Sequence, residues 1–190
     1  MQTLEQLIES ASHDMFNPIV NFEIAEKYMS MQQTASAVSF YLRCAEYGHD
    51  THPEYVYASL IKISDCLSDQ TGRENTVLNC ILQAMQYLPK RPEAYFLLSR
   101  YYERVAKWQE AYTFAQLGLE YISQEINLPS STDYLGEFSL LFEKAVAGWW
   151  IGRKEESLSI FKSLLELDIP DNYRQSIQYN ITRIDPNMTF

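Results

Sequence analysis

Two imidazoles and a carboxylate fall within one turn, His49-Asp50-Thr51-His52. Imidazole nitrogens hold zinc-like ions where three or four ligands converge. The sequence brings no third ligand to this pair, and His13-Asp14 reads as another solvated loop. No metal or other cofactor is expected. Three cysteines, Cys44, Cys66 and Cys80, form no CxxC pair and sit in apolar surroundings. They read as buried thiols in a reducing compartment. A cysteine nucleophile needs a base and an orienting group beside it in a pocket, and no spacing here supplies them. Glu155-Glu156 resembles a carboxylate pair, but neighbours on a helix point about 100° apart. Both acids are better placed at a helix N-terminus, where the dipole favours them. Trp149-Trp150 is the most unusual dipeptide: one ring is expected to fill a gap between helices, and the other could face a ligand.

These residues sit on a repetitive frame. Ala25, Tyr28, Ala37 and Tyr41 recur as Ser99, Tyr102, Ala111 and Ala115, with the same offsets of 3, 12 and 16 residues. Pro18, Pro53 and Pro92 lie 35 and 39 residues apart. A period in the mid-thirties with helical spacing inside it marks an array of two-helix repeats. The expected repeats span about 17–50, 53–89, 91–122 and 133–168, with capping helices at about 3–12 and 171–184 in one domain over 1–190. Thr3 and Asn17 read as N-caps, and Pro18 suits the first helical position. Gly48 reads as a helix C-cap, and Gly152 as a tight reversal. The polar stretch 123–132, SQEINLPSST, is the longest break. No strand alternation persists, so the predicted class is all-α, a right-handed α-solenoid. Small residues at Ala25, Ala37, Ser99, Ala111 and Ser157 let paired helices approach closely.

The chain of 190 residues carries a net charge of −10, spread along its length: 11 acids and 5 bases in 1–90, 14 and 10 in 91–190. No basic stripe is present, so neither nucleic acid nor an anionic membrane surface is an expected partner. The N-terminal MQTLEQLIES lacks the basic and then apolar order of a signal peptide. The longest uninterrupted apolar run, about 145–152, is far too short to cross a bilayer. A cytoplasmic location is expected.

The spaced small and aromatic residues resemble the tetratricopeptide repeat over about 17–167. Gly148 departs from the family's pattern, which prefers an aromatic there. A narrower resemblance is carried by RPEAYFLLSRYYERVAKWQEAYTFAQLGLE (91–120) and EKAVAGWWIGRKEESLSIFKSLLE (143–166). These are similar to the helical-repeat tail that accompanies family 2 glycosyltransferases in bacteria and their viruses. No Asp-x-Asp motif or Rossmann-like strand pattern accompanies them, so transferase activity is not carried over.

The tetratricopeptide resemblance implies a concave groove lined by the first helix of each repeat. In that register the exposed groove positions are Phe22, Glu26 and Met29 in repeat one, and Phe96, Arg100 and Glu103 in repeat three. The family's carboxylate clamp for chaperone tails uses Lys, Asn and Arg; Phe22, Glu26, Glu93 and Leu97 stand at such positions, so no clamp is expected. The reading is a non-catalytic scaffold for a protein or peptide partner. Its alternative is an accessory module of a glycosyltransferase, with that enzyme as the partner.

Overall fold

The computed structural model describes residues 2–122 and 127–184, with the Ile184 side chain excepted. Every regular element among them is helical. The α-helices are α1 (Leu4–His13), α2 (Pro18–Ser30), α3 (Thr34–Gly48), α4 (Pro53–Leu67), α5 (Glu74–Tyr87), α6 (Pro92–Arg104), α7 (Trp108–Gly118), α8 (Glu137–Trp150), α9 (Lys154–Leu165) and α10 (Asp171–Ile184). A short 3-10 helix, Leu119–Tyr121, follows α7. The sequence reading treats 1–190 as one domain; by packing, the chain divides into two compact units. The first holds residues 2–90 and 127–132, and the second holds 91–122 and 133–184.

Local chemistry starts these helices where expected. The Thr3 hydroxyl accepts from the Gln6 N–H, and the Gln6 side chain accepts from the Thr3 N–H, a full capping box. Asn17 Oδ1 accepts from the N–H groups of Ile19 and Val20, with Pro18 at the first helical position. Pro53 and Pro92 occupy the same position in α4 and α6.

The turns inside the repeats share one device. Gln32, Ala106 and Gly152 each adopt a left-handed conformation, with φ of 59°, 56° and 87°. The N–H of the following residue reaches back five residues: Gln33 to Tyr28 O at 2.9 Å, Lys107 to Tyr102 O at 2.8 Å, Arg153 to Gly148 O at 2.8 Å. This is the Schellman closure of a helix C-terminus. In the longer α4–α5 turn, Gly72 takes the left-handed place at 81°. An L-residue there costs roughly 1–2 kcal/mol, and glycine loses roughly 0.5–1 kcal/mol of that through chain entropy. Ala106 is exposed, so Ala106→Gly should stabilise by about 0.5–1 kcal/mol. Thermal melting should register this as a rise of roughly 2 °C for a chain of this size; a fall would show that the turn carries no strain.

Gly48 is corrected by the structure. It lies within α3, where the ideal Cβ position is 3.2 Å from both Pro18 Cβ and Val56 Cγ2. Its role is close packing against α2 and α4, not helix capping. The small residues Ala25, Ala37, Ser99, Ala111 and Ser157 are all buried at helix crossings. In the first unit Phe22, Tyr41, Cys44, Ala58 and Ile63 form the core with Ala25 and Ala37. In the second, Phe161, Leu164, Ile169, Ile177 and Ile181 pack on Ala145. α10 thus shields the apolar face of α9, as a capping helix must.

Candidate functional site

The first unit carries a groove over α2. Glu23, Glu26 and Lys27 of α2, Tyr55 of α4 and Leu7 of α1 line a cavity of about 510 Å³. Pro129 closes one side of it. Glu26 is half-buried and doubly engaged: it accepts from the Tyr41 hydroxyl at 2.5 Å and from Ser130 Oγ at 3.2 Å. Burial, and after it the hydrogen bond to Glu26, pushes the Tyr41 phenol far above its ordinary range. Tyr41 therefore stays a fixed hydroxyl donor at any working pH, and it orients the Glu26 carboxylate toward the groove.

The register reading places Phe22 and Phe96 on an exposed groove face; both rings are buried, although Phe22 still lines the cavity over α2. Phe22 is 2% exposed, edge-to-face with Tyr41 and Tyr55 at 5.5 and 5.3 Å between ring centroids. Phe96 is fully buried with Ala115 and Leu140. A phenyl ring at this register can turn into the gap between helices, and burying it stabilises by roughly 1.5–3 kcal/mol. Met29 is half-buried against the first-unit core, with the Cys66 thiol 3.2 Å from its sulfur. Arg100 is exposed, 3.3 Å from Asp133 and lying 5.5 Å above the Phe96 ring. Glu93 is buried in an ion pair with Arg91, so it does not line a groove.

The second unit presents a different face. Glu103 lines a cavity of about 600 Å³ with Trp108, Phe142, Trp150 and Tyr179. Trp108 and Trp150 stack at 4.9 Å and 16°, and Trp150 is 60% exposed. Trp149 lies under the Lys154 ammonium at 4.6 Å. Trp149 is thus half-buried and Trp150 turned outward. Behind this face Glu103 is hydrogen-bonded to Glu143, which is almost fully buried. Burial, then the hydrogen bond to Glu103 and its charge, holds the Glu143 carboxyl well above the usual range; Arg100 opposes this more weakly.

Sequence reasoning missed Glu23, Lys27, Tyr55, Trp108, Glu143 and Tyr179. It also stopped the register at repeat three. Counting from Ala145 as from Ala25 gives Phe142, Val146 and Trp149, all of which line cavities of the second unit.

The residues weighed for catalysis or metal binding are engaged locally. His49 Nε2 is 2.9 Å from Asp50, while His52 Nδ1 faces the Thr51 hydroxyl at 2.7 Å. Among the described residues no three of His, Cys, Asp and Glu converge as metal ligands. Burial pushes the Cys44 and Cys66 thiols up to about 11, away from nucleophilic thiolate character. Glu155 and Glu156 do head α9; Glu156 turns to Lys144 at 2.9 Å and to the Tyr112 hydroxyl. No helix among the described residues is long and apolar enough to cross a membrane.

No protein-family profile matches the chain, and no curated protein does. Solved structures do. YrrB, described as a tetratricopeptide-repeat protein with an unusual peptide-binding site, superposes with a TM-score of 0.67 at 12% identity, over 97% of this chain and 95% of its own. PilF of Pseudomonas aeruginosa gives 0.70 at 12%, over 93% and 72%. MamA gives 0.65 at 11%, over 86% and 85%. At such identities the likeness defines the fold: this chain has the all-α helical-repeat fold of tetratricopeptide proteins.

Proposed function

We propose that this protein is a non-catalytic scaffold whose first unit seats an extended peptide in the groove over α2. One observation carries the reading: an irregular stretch of backbone, residues 127–132, already lies against that face, with Pro129 in the cavity wall and Ser130 on Glu26. A groove of helix faces that takes one irregular segment can take another, held by a few side-chain anchors. YrrB, which shares the fold, is itself described as having a peptide-binding site. The three free thiols agree with a reducing, cytoplasmic setting.

The test is a random-peptide library panned against the full chain, followed by photo-crosslinking from two positions. A benzophenone at Tyr55, in the groove, should capture the selected peptides. One at Leu42, exposed on α3, should not. Failure to select any micromolar binder, or capture from Leu42 alone, would overturn the proposal.

A second reading keeps the narrower resemblance. The segments 91–120 and 143–166 both fall in the second unit, where the Trp108–Trp150 stack and Tyr179 offer an exposed aromatic face. In that reading this face docks on a family 2 glycosyltransferase, and calorimetric titration with such a transferase domain separates the two.

A further inference from the structure

Part of the face over α2 is covered by the protein's own chain, with Pro129 in the cavity wall and Ser130 on Glu26. Residues 127–132, Asn-Leu-Pro-Ser-Ser-Thr, carry no charge and form no helix or strand. Leu128, Pro129 and Ser130 are half-buried, while Asn127 and Ser131 are exposed. The segment has the features of a bound ligand. Its proline fixes φ and lowers the entropy lost on ordering. Its hydroxyl donates to the Glu26 carboxylate at 3.2 Å, a long contact that a better-placed partner hydroxyl could shorten. That carboxylate is oriented from behind by Tyr41.

We propose that residues 127–132 act as an internal stand-in for the partner. The partner is then an uncharged, non-helical segment of the Pro-Ser type that gives a hydroxyl to Glu26 and displaces this stretch. The inference rests on the peptide-seat reading and adds both the partner's chemistry and a gate. Tethered within the same chain, the segment competes at an effective concentration on the order of 1 mM. If the segment's own Kd for the seat is about one-tenth of that concentration, the open seat is about one-eleventh populated. The partner's apparent affinity falls by about tenfold.

Anisotropy titration of a fluorescein-labelled Asn-Leu-Pro-Ser-Ser-Thr peptide tests this on the full chain. The variant Leu128→Gly/Pro129→Gly/Ser130→Gly empties the seat at unchanged length, with circular dichroism as the fold control. It should bind the peptide about tenfold more tightly than the parent, and adding Glu26→Gln should weaken that binding. Equal affinity for parent and variant would overturn the gate while leaving the seat intact. Binding of library-selected peptides but not of this one would overturn the assignment of the partner's chemistry alone. If neither binds, both proposals fall. A second measurement does not depend on the variant: saturating peptide should move the Ser130 and Ser131 amide signals of the parent toward random-coil positions. Signals that stay in place would also overturn the gate.

Discussion

Replacing Gly148 with tyrosine should destabilise the second unit by about 3 kcal/mol, the upper end of the usual overpacking range. For a chain of this size that is a melting point lower by roughly 6–12 °C. The substitution restores the residue type preferred by the family it resembles, so a profile-based expectation would be neutral or favourable. The local geometry decides otherwise. A Cβ at 148 would stand 2.8 Å from Ser157 Oγ and 3.5 Å from the Tyr112 ring. Ser157 is buried on α9, which crosses α8 at this point. The aromatic volume the fold needs here already arrives from α7. The Tyr112 hydroxyl lies 3.0 Å from both Glu156 carboxylate oxygens, and the Arg153 guanidinium lies 4.6 Å from the ring centre. Two rings cannot share the space. The double variant Tyr112→Gly/Gly148→Tyr should therefore recover part of the loss, with a coupling of about 1–3 kcal/mol in a thermodynamic cycle. A single Gly148→Tyr variant melting within about 2 °C of the parent would show that α9 yields without cost.

The same position shows what the sequence could and could not disclose. Caps, turn glycines and small crossing residues act within a few residues of themselves, so Thr3, Asn17, Gly152 and the Ala25–Ala37 pair were readable from spacing. Gly148 looked like a lapse from the repeat because its compensating ring lies 36 residues upstream, on another helix. Phe22 and Phe96 were misplaced for a related reason. Register states which face of a helix a residue occupies; it does not state whether a large side chain on that face turns inward to bury its ring. Register places Glu26 on the α2 face that lines the cavity, but its two partners, Tyr41 and Ser130, come from α3 and from a stretch without any periodicity. A polar segment such as 127–132 carries no pattern that reveals a seat. Glu143 was invisible because nothing on its own helix marks it: its neighbour is Glu103 on α6.

That buried acid pair gives the second large effect. Stability of the second unit should fall as pH rises above the ordinary carboxylate range, and Glu143→Gln should abolish much of the fall. The sign follows from proton counting. Glu143 has its folded pKa raised by burial and by Glu103, so between the unfolded value, about 4.3, and the folded one the native state binds more protons than the unfolded chain. Stability is then fully present below the unfolded value and is lost as pH climbs through the folded one, at up to about 1.4 kcal/mol per pH unit. The other groups facing the pair do not reverse this. Arg100 on α6 favours ionisation but is shared with Asp133. Tyr173 on α10 is itself pushed up, by burial first and then by the Glu143 charge. A glutamine at 143 stays neutral at every pH, and its amide N–H can donate to the Glu103 carboxylate as the protonated acid does. Melting profiles of parent and Glu143→Gln should coincide near pH 4.5 and have separated by pH 8, with the variant the more stable. A variant equally destabilised at both pH values would instead mean that the pair takes up no proton on folding. In that case the carboxylates of α6 and α8 would have to be solvated through the aromatic face formed by Trp108, Trp150 and Tyr179.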